Sequence, residues 1–293
     1  MIKLGIIGYN EGNGHPYSYS SIFNGFDMDY MKDCPYPSIP KYLNKHNSDE
    51  ERLKSAKVSH IWTQDKDLSC HIAKSSKIEN VCEDLEEMIS EVDGVIIARD
   101  DYETHYDLSK LFIDAGLNVF IDKPIENSVI KAQKILSLER FNGQIYSISS
   151  LANDPRVIDA KQNIKSFGKV KYIYGTAPGK WDRYAIHLID VLLMILGKDL
   201  NFIEKDTNVE NRVTTRTGRL INNAFIELKC MGGIPSPLRI TIICEKGFYD
   251  IDFYDPFNAF KNTLSTFVKS IIEKSNIRPH KEILDSISLI ELD

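Results

Sequence analysis

Short apolar runs alternate with segments of helical spacing over the first part of the chain. Two helical segments, Asp67–Ser75 and Tyr106–Ala115, lie between such runs, and Gly116 follows the second, where helices commonly end. Runs that are apolar at successive positions are typical of strands buried on both faces of a parallel sheet. The pattern therefore predicts β-α-β units, with strands at Ile2–Ile7, Val58–Trp62, Gly94–Ala98 and Asn118–Ile121.

After Pro124 the chain changes to short strand-like runs joined by links that contain Gly or Asn, which favours an antiparallel sheet. These runs are Gln144–Ser149, Val170–Gly175, Asn201–Ile203, Arg212–Thr217, Asn223–Leu228, Leu238–Cys244 and Phe248–Phe253. Helices are predicted at Ser128–Leu138, Val157–Lys165, Tyr184–Leu196, Pro256–Lys274 and Glu282–Leu289. We therefore predict an α/β fold, with a doubly wound parallel sheet in residues 1–125 and an α/β domain with a large, mostly antiparallel sheet in residues 126–293.

One segment, Phe26–Lys57, is longer than a compact β-α-β unit needs between its first helix and its second strand. It carries Pro35, Pro37 and Pro40, and prolines at this density predict that no regular helix forms there. An ordered excursion of this length is often a functional loop, but a surface decoration explains the sequence equally well.

Composition narrows the class of protein. The 293 residues include 36 Lys+Arg against 42 Asp+Glu, a net charge of −6, and 42% are hydrophobic, which excludes a disordered or collagen-like chain. The lack of a basic block argues against nucleic acid as a partner, and the lack of a long uncharged apolar stretch argues against a membrane span. Five scattered cysteines without C-x-x-C spacing predict reduced thiols in a cytoplasmic protein, and the sequence shows no metal-binding motif.

The first predicted strand ends in a Gly-rich loop, Gly8 to Gly14, that precedes a helix. Backbone N–H groups in such a loop can bind a pyrophosphate at the helix N-terminus. Asn10 stands where the pattern G-x-G-x-x-G has its second glycine, and asparagine tolerates positive φ, while Gly12 and Asn13 follow. The loop is therefore a candidate nucleotide site, with an ordinary Gly-rich turn as an equal alternative.

Asp65 follows the second predicted strand, where an acidic residue commonly contacts the ribose hydroxyls of a dinucleotide. Its carboxylate would disfavour a 2′-phosphate, so the position favours NAD over NADP. The same position also suits the cap of the following helix, and both interpretations stay open.

Lys123 lies in the tripeptide Asp122-Lys123-Pro124, directly after the fourth predicted strand. Ligands of doubly wound sheets bind beyond the carboxyl ends of the strands. A lysine at this point could therefore exchange a proton with a substrate hydroxyl during hydride transfer. A bare Asp-Lys-Pro tripeptide is otherwise most often a surface turn.

A second group of candidate residues lies at the start of the apolar helix that is predicted in the C-terminal part of the chain. His187 and Asp190 lie three residues apart on one helix face, so Asp190 could fix the imidazole tautomer. A structural His/Asp pair in a core helix is the alternative. Polar residues at the helix N-terminus could dock an anionic or hydroxylated ligand. They are Lys180, Asp182, Arg183 and Tyr184.

Taken in order, these motifs resemble the Gfo/Idh/MocA oxidoreductase family over essentially the whole chain. The Ala115–Ile125 segment is similar to the family signature A-G-x-x-V-x-x-E-K-P, with Asp122 in place of Glu, and His187–Asp190 is similar to the family's H-x-x-D. The resemblance is also carried by Gly8 after the opening strand and by Asp93–Ala98 followed by His105.

The resemblance implies a Rossmann domain followed by an α/β domain whose open sheet face forms subunit contacts, in a homodimer or homotetramer. It implies NAD(P)-dependent hydride transfer to or from a sugar, cyclitol or similar hydroxyl or carbonyl compound. By motif, Lys123 and His187 would be catalytic, with Tyr184 beside them. The implied cofactor contacts are Gly8, Asn10, Gly12, Asn13, Asp65, Ala98, Arg99, Asp101, His105, Asp122 and Lys123, and the implied substrate contacts are Lys180, Asp182, Arg183 and Asp190.

The chain departs from the family pattern at three places. Arg183 stands where the family often has Asp, with Asp182 adjacent, and Arg99-Asp100-Asp101 replaces the usual Thr-Pro-Asn. The glycine loop is atypical as well. Two alternatives therefore stay open: an enzyme that retains NAD for a redox-neutral elimination or glycoside cleavage, and a non-catalytic nucleotide-binding sensor.

Overall fold

The computed structural model describes residues 1–292, which divide into two compact units. Unit 1 comprises Met1–Glu126, Ile130–Ser147 and Phe260–Ile283, and unit 2 comprises Asn127–Val129, Ile148–Ala259 and the chain from Leu284 onward. Two segments beyond residue 125 therefore lie in unit 1, whereas the sequence pattern divides the chain once, between residues 125 and 126.

Unit 1 contains a six-stranded sheet in which every neighbouring pair is parallel. Its strands are β1 Ile2–Ile7, β2 Ala56–Trp62, β3 Asn80–Val81, β4 Gly94–Ile97, β5 Asn118–Ile121 and β6 Ile145–Tyr146. They lie in the order β3-β2-β1-β4-β5-β6, which is the strand order of dinucleotide-binding Rossmann domains. β4 is buried throughout and β5 almost throughout, as strands covered on both faces are, so the predicted doubly wound Rossmann sheet is confirmed.

The sixth strand corrects one prediction. The sequence pattern assigns Gln144–Ser149 to the antiparallel sheet, but only Ile145–Tyr146 is a strand, and it pairs in parallel with β5. Tyr146 is buried and packs on Phe120 of β5 and on Phe267, with ring centroids 5.3 and 6.3 Å apart. Burial on both faces is typical of a strand in a covered parallel sheet, which is where β6 lies.

Helices connect and follow these strands. Within residues 1–292 the α-helices are α1 His15–Asn24, α2 Met28–Met31, α3 Ser38–Lys45, α4 Lys66–Ser75, α5 His105–Asp114, α6 Val129–Leu136, α7 Pro155–Asn163, α8 Trp181–Leu196, α9 Phe257–Glu273 and α10 His280–Ile290. Single 3₁₀ turns lie at Leu85–Met88, Tyr102–Thr104, Ser150–Asn153, Ile164–Phe167 and Gly197–Asp199. The predicted helices match α4 to α10 within a few residues at each end.

The excursion between α1 and β2 is ordered and contains α2 and α3, so the prediction that its prolines preclude a regular helix was wrong. Pro37 is the N-cap of α3, and Pro40 lies in its first turn. The first N–H groups of a helix have no intrahelical acceptor, so proline is tolerated there. The helix buries Ile39, Tyr42 and Leu43, which lie on one face.

Unit 2 contains a second six-stranded sheet, in the order β12-β11-β7-β10-β9-β8. Its strands are β7 Val170–Ala177, β8 Phe202–Glu210, β9 Val213–Leu220, β10 Phe225–Cys230, β11 Arg239–Cys244 and β12 Phe248–Asp252. β7 and β10 are parallel and every other neighbouring pair is antiparallel, which confirms the predicted sheet. Burial alternates along β9, β10 and β11, and α8 packs on β7 and β10, so one face of the sheet is buried and the other is more exposed.

Arg216 of β9 fixes the chain that follows α10, a role that no sequence pattern predicts. Its buried guanidinium donates to the carbonyl oxygens of Leu289 and Glu291 and lies 5.0 Å from the ring centroid of Trp181. The Trp181 indole in turn donates to the Ile290 carbonyl at 2.8 Å. These contacts hold the C-terminal segment beside the first turn of α8.

Among residues 1–292, no helix combines the length and apolar character that crossing a bilayer requires. The same residues contain no group of three or more His, Cys, Asp or Glu side chains placed to hold a metal ion. The five cysteines are all within this range, and none of them is in a disulfide.

Candidate functional site

Loops at the carboxyl ends of β1, β4 and β5 bring three predicted regions together in unit 1. Lys123, after β5, places its Nζ 3.2 Å from Oδ2 of Asp100, after β4. Asn10, after β1, donates from Nδ2 to Asp100 Oδ1 at 2.6 Å and accepts the Asp100 N–H at 3.0 Å. The Lys123 side chain is only 5% exposed and that of Asp100 14%. The structure therefore assembles a buried Lys–Asp–Asn cluster at the edge where Rossmann domains bind ligands.

Asp100 is ionised in this cluster. Burial raises the pKa of its carboxyl group, but the Lys123 ammonium and the Asn10 amide outweigh burial and lower the pKa to about 2. The residue stands in the loop where the chain departs from the family's usual Thr-Pro-Asn. Sequence reasoning noted its charge but did not assign it to the site.

Replacing Asp100 with asparagine is expected to remove a stabilisation that depends on pH. Because its folded-state pKa is lowered, the carboxylate contributes fully above the unfolded value of about 3.9 and loses its contribution as the pH falls towards 2. The wild type should exceed Asp100→Asn in free energy of unfolding by about 2 kcal/mol near neutral pH. Urea unfolding at a series of pH values measures this gap. A gap that does not narrow between pH 4 and pH 2 would contradict the ion pair.

Asp122 joins the end of β5 to the glycine loop and α1. It is completely buried, its Oδ2 lies 2.5 Å from His15 Nδ1 and 3.0 Å from Asn13 Nδ2, and its Oδ1 accepts the Lys123 N–H at 2.8 Å. Burial raises the pKa of Asp122, but His15 and Lys123 bring it below its usual value. An ionised carboxylate only accepts, so His15 Nδ1 carries a proton. His15 gave no signal in the sequence.

The glycine loop has room for a close approach by a phosphate. Gly12 has φ +90°, and among the described residues nothing lies within 4 Å of where a Cβ would stand. A Cβ on Gly8, in contrast, would lie 2.7 Å from Pro16 Cγ, so the turn into α1 needs glycine there. The first turn of α1, His15 to Ser18, carries no carboxylate that would compete with an anion for the helix N-terminus. These features fit the pyrophosphate of a dinucleotide.

The excursion packs directly on this loop. A Cβ on Gly14 would lie 2.7 Å from Tyr36 Cδ2, and the Tyr36 hydroxyl is hydrogen-bonded by the Gly12 backbone and the Tyr9 side chain. Burial, followed by Tyr9, raises the pKa of Tyr36. The Tyr42 hydroxyl of α3 contacts Ser18 Oγ of α1. The excursion is therefore part of the wall of the glycine loop, which favours the first of the two interpretations that its sequence left open.

The charged residues after β4 are paired with each other. Arg99 donates to both carboxylate oxygens of Asp101, at 2.8 and 2.5 Å, and to Gln64 Oε1 at 3.2 Å. Gln64 Oε1 also accepts the Tyr9 N–H, so this pair supports the glycine loop. Ala98 is buried directly after β4. The His105 ring nitrogens lie 2.9 and 3.0 Å from the carbonyl oxygens of Arg99 and Ile125, which ties the loops after β4 and β5 together.

Asp65 has the contacts of a helix cap. Its Oδ1 accepts the N–H groups of Asp67 and Leu68 at the start of α4, at 2.9 and 3.2 Å. It lies after β2 as predicted, and of the two interpretations left open, capping is the one with contacts in the structure.

In unit 2, His187 lies on α8 beside a serine that sequence reasoning missed. Ser149 Oγ lies 2.7 Å from His187 Nδ1, and the Ser149 N–H donates to Asp190 Oδ2 at 2.6 Å. Tyr184 packs edge-on against the imidazole, with ring centroids 5.4 Å apart. The structure thus brings His187, Asp190 and Tyr184 together.

The other three predicted residues of unit 2 lie at the start of α8. Lys180 is its N-cap, and Asp182 and Arg183 stand in its first turn. Asp182 is the acidic residue of that turn, where a carboxylate interacts favourably with the helix dipole.

Comparison with known proteins agrees with this geometry. Residues 40–150 match the Gfo/Idh/MocA family model, which is described as an oxidoreductase family with an NAD-binding Rossmann fold. This stretch includes Asp100, Asp122 and Lys123, but not His187. No curated protein sequence matches the chain.

Solved structures share the fold over almost the whole chain. Apo scyllo-inositol dehydrogenase from Lactobacillus casei aligns with a TM-score of 0.75 at 17% identity, covering 99% of this chain and 94% of that one. The same enzyme with bound NAD(H) and scyllo-inositol gives 0.71 at 15% identity, covering 99% and 95%. Myo-inositol 2-dehydrogenase from Lactobacillus plantarum gives 0.73 at 13% identity, also covering 99% and 95%. At such low identity these neighbours establish the fold.

Proposed function

We propose that the protein is an NAD(P)-dependent oxidoreductase that interconverts a hydroxyl and a carbonyl group on a sugar, a cyclitol or a similar polyol. The observation that carries the proposal is the buried Lys123 at the carboxyl end of β5, held 3.2 Å from Asp100 beside the glycine loop. A buried lysine fixed at this edge suits proton transfer to a ligand better than it suits a surface turn. The inositol dehydrogenases among the structural neighbours support a polyol substrate.

The proposal gives Lys123 and Asp100 separate tasks. A bound nicotinamide would supply the hydride acceptor or donor. Lys123 as the neutral amine would take the proton from the substrate hydroxyl during oxidation, and as the ammonium it would return the proton to the carbonyl oxygen during reduction. Asp100 would hold the Lys123 ammonium in place and balance its charge. The open backbone at Gly12 would let the pyrophosphate approach the start of α1 closely.

For unit 2 the proposal follows the H-x-x-D motif at His187–Asp190. His187 would contact the substrate hydroxyl, because a neutral imidazole both donates and accepts, with Tyr184 against its ring. Lys180, Asp182 and Arg183, at the start of α8, would add polar contacts to the substrate.

We propose NAD as the preferred cofactor because Asp65 adds negative charge after β2, where a 2′-phosphate would stand. The Asp65 carboxylate already caps α4, so its contact with the ribose would use the oxygen that does not cap the helix. The Arg99 guanidinium, which could otherwise bind a 2′-phosphate, is engaged by Asp101.

We propose that the protein forms a homodimer or homotetramer through the exposed face of the second sheet. Register places Phe225, Tyr172, Ile243 and Phe248 side by side on four neighbouring strands, β10, β7, β11 and β12. Tyr172 and Phe225 stack with centroids 5.8 Å apart, and Phe248 is 65% exposed. An apolar row across a sheet face suits burial against a second copy. Light scattering coupled to size exclusion measures the oligomeric state.

A titration with NADH and NADPH, followed by nicotinamide fluorescence, tests the cofactor assignment. We expect both to bind, with NADH tighter, since Asp65 repels a 2′-phosphate. A panel of polyols, cyclitols and sugars then identifies turnover from absorbance at the NADH band. A folded sample that binds neither nucleotide would overturn the proposal. NAD that remains bound through purification, with turnover in the absence of added cofactor, would instead favour the redox-neutral alternative.

A further inference from the structure

Ser149 is placed to control the imidazole of His187. It follows β6, it is completely buried, and its hydroxyl lies 2.7 Å from His187 Nδ1. A serine hydroxyl can donate to Nδ1 or accept from it, so this contact holds the ring in either tautomer and keeps Nε2 in one direction. Tyr184 packs edge-on against the same ring. The serine is thus in position to fix the orientation of the ring.

The serine itself is fixed by Asp190. This carboxylate is only 2% exposed, and it accepts the Ser149 N–H on Oδ2 at 2.6 Å and the Ser286 hydroxyl on Oδ1 at 2.5 Å. Hydrogen bonds to a buried carboxylate are stronger than neutral ones. The Ser149 main chain is therefore clamped, and its hydroxyl stays within reach of His187.

We propose that Ser149 is a positioning residue for His187, and that Asp190 acts on the imidazole through Ser149. The catalytic consequence rests on the proposed function, whereas the effect on the orientation of the imidazole does not. Ser149 directly precedes the 3₁₀ turn Ser150–Asn153 and lies far in sequence from the H-x-x-D motif, so no pattern in the sequence connects the two.

Two substitutions separate the hydroxyl from the packing. In Ser149→Ala, kcat is expected to fall about tenfold to a hundredfold with a smaller change in KM, by analogy with the losses measured when a metal-bound histidine loses the hydrogen bond on its other ring nitrogen. Ser149→Thr keeps the hydroxyl and should restore most of kcat. Equal losses in the two variants would show that bulk rather than the hydrogen bond matters, and would overturn the proposal.

The ¹⁵N chemical shifts of the His187 ring, assigned by their absence in His187→Gln, give a readout that needs no substrate. The same Nδ1 chemical shift is expected in the wild type and in Ser149→Thr, and a displaced one in Ser149→Ala, which has no hydroxyl beside Nδ1. Ser286→Ala is the matched control, because it removes a buried hydroxyl from Oδ1 of Asp190 while the Ser149 N–H keeps its contact with Oδ2, and it should keep the wild-type shift. An unchanged Nδ1 shift in Ser149→Ala would refute the positioning role. If the wild type turns over no polyol, the proposed function fails, and the ¹⁵N result still decides the role of Ser149.

Discussion

Replacing Lys123 with methionine is expected to lower kcat by about 10²–10⁴-fold, the range that a general acid or base contributes, while NADH still binds. Methionine keeps the length and apolar stem of lysine but has no proton to exchange. The pairing of Lys123 with Asp100 complicates the experiment, because the variant leaves a buried carboxylate without its cation. Breaking a buried pair in this way costs about 3–5 kcal/mol of stability.

The double variant Lys123→Met/Asp100→Asn separates catalysis from stability. It removes both charges, so its free energy of unfolding should return towards the wild-type value, since paired burial contributes little net stability. Its kcat should stay as low as that of the single variant. The measurements are urea unfolding, NADH titration and steady-state rates on the best polyol. Recovery of activity in the double variant, or wild-type turnover in Lys123→Met, would show that Lys123 is not the proton-transfer group.

The sequence predicts the parallel sheet well because β1, β4 and β5 are short apolar runs, buried over most of their length and closely followed by polar residues or glycine. Each strand can therefore be recognised from the residues next to it. It fails at β6. The Gln144–Ser149 segment resembles the antiparallel strands that follow it, and its place is decided by the aromatic packing of Tyr146 on Phe120 and Phe267, which come from distant parts of the chain.

Some residues of the candidate site can likewise be predicted from the sequence, and others cannot. Lys123 and Asp122 lie in one contiguous motif, so the sequence finds them together. His15, Asp100 and Ser149 each lie on a different segment from the residue they contact. Their roles follow from which strand ends are adjacent in the sheet and from the path of the chain after β6. A single sequence carries no local signal for either.

Replacing Asp122 with alanine is expected to destabilise the fold strongly at the carboxyl edge of the first sheet. The substitution removes the acceptor for His15 Nδ1, Asn13 Nδ2 and the Lys123 N–H, all in a fully buried place. A buried polar group left without its partner costs about 1–3 kcal/mol. Because three donors lose theirs, we expect a loss of at least about 3 kcal/mol in the free energy of unfolding.

Asp65→Ala is the matched control, since Asp65 is also an aspartate that follows a strand of the same sheet, but it is exposed and caps α4. Loss of that cap should cost about 1 kcal/mol. Asp122→Asn should fall between the two, because the amide keeps one acceptor oxygen. Urea unfolding near neutral pH compares the three variants. The lowered pKa of Asp122 also implies that the wild-type advantage declines as the pH falls below the unfolded value of about 3.9. Equal losses in Asp122→Ala and Asp65→Ala would mean that Asp122 does not anchor the glycine loop.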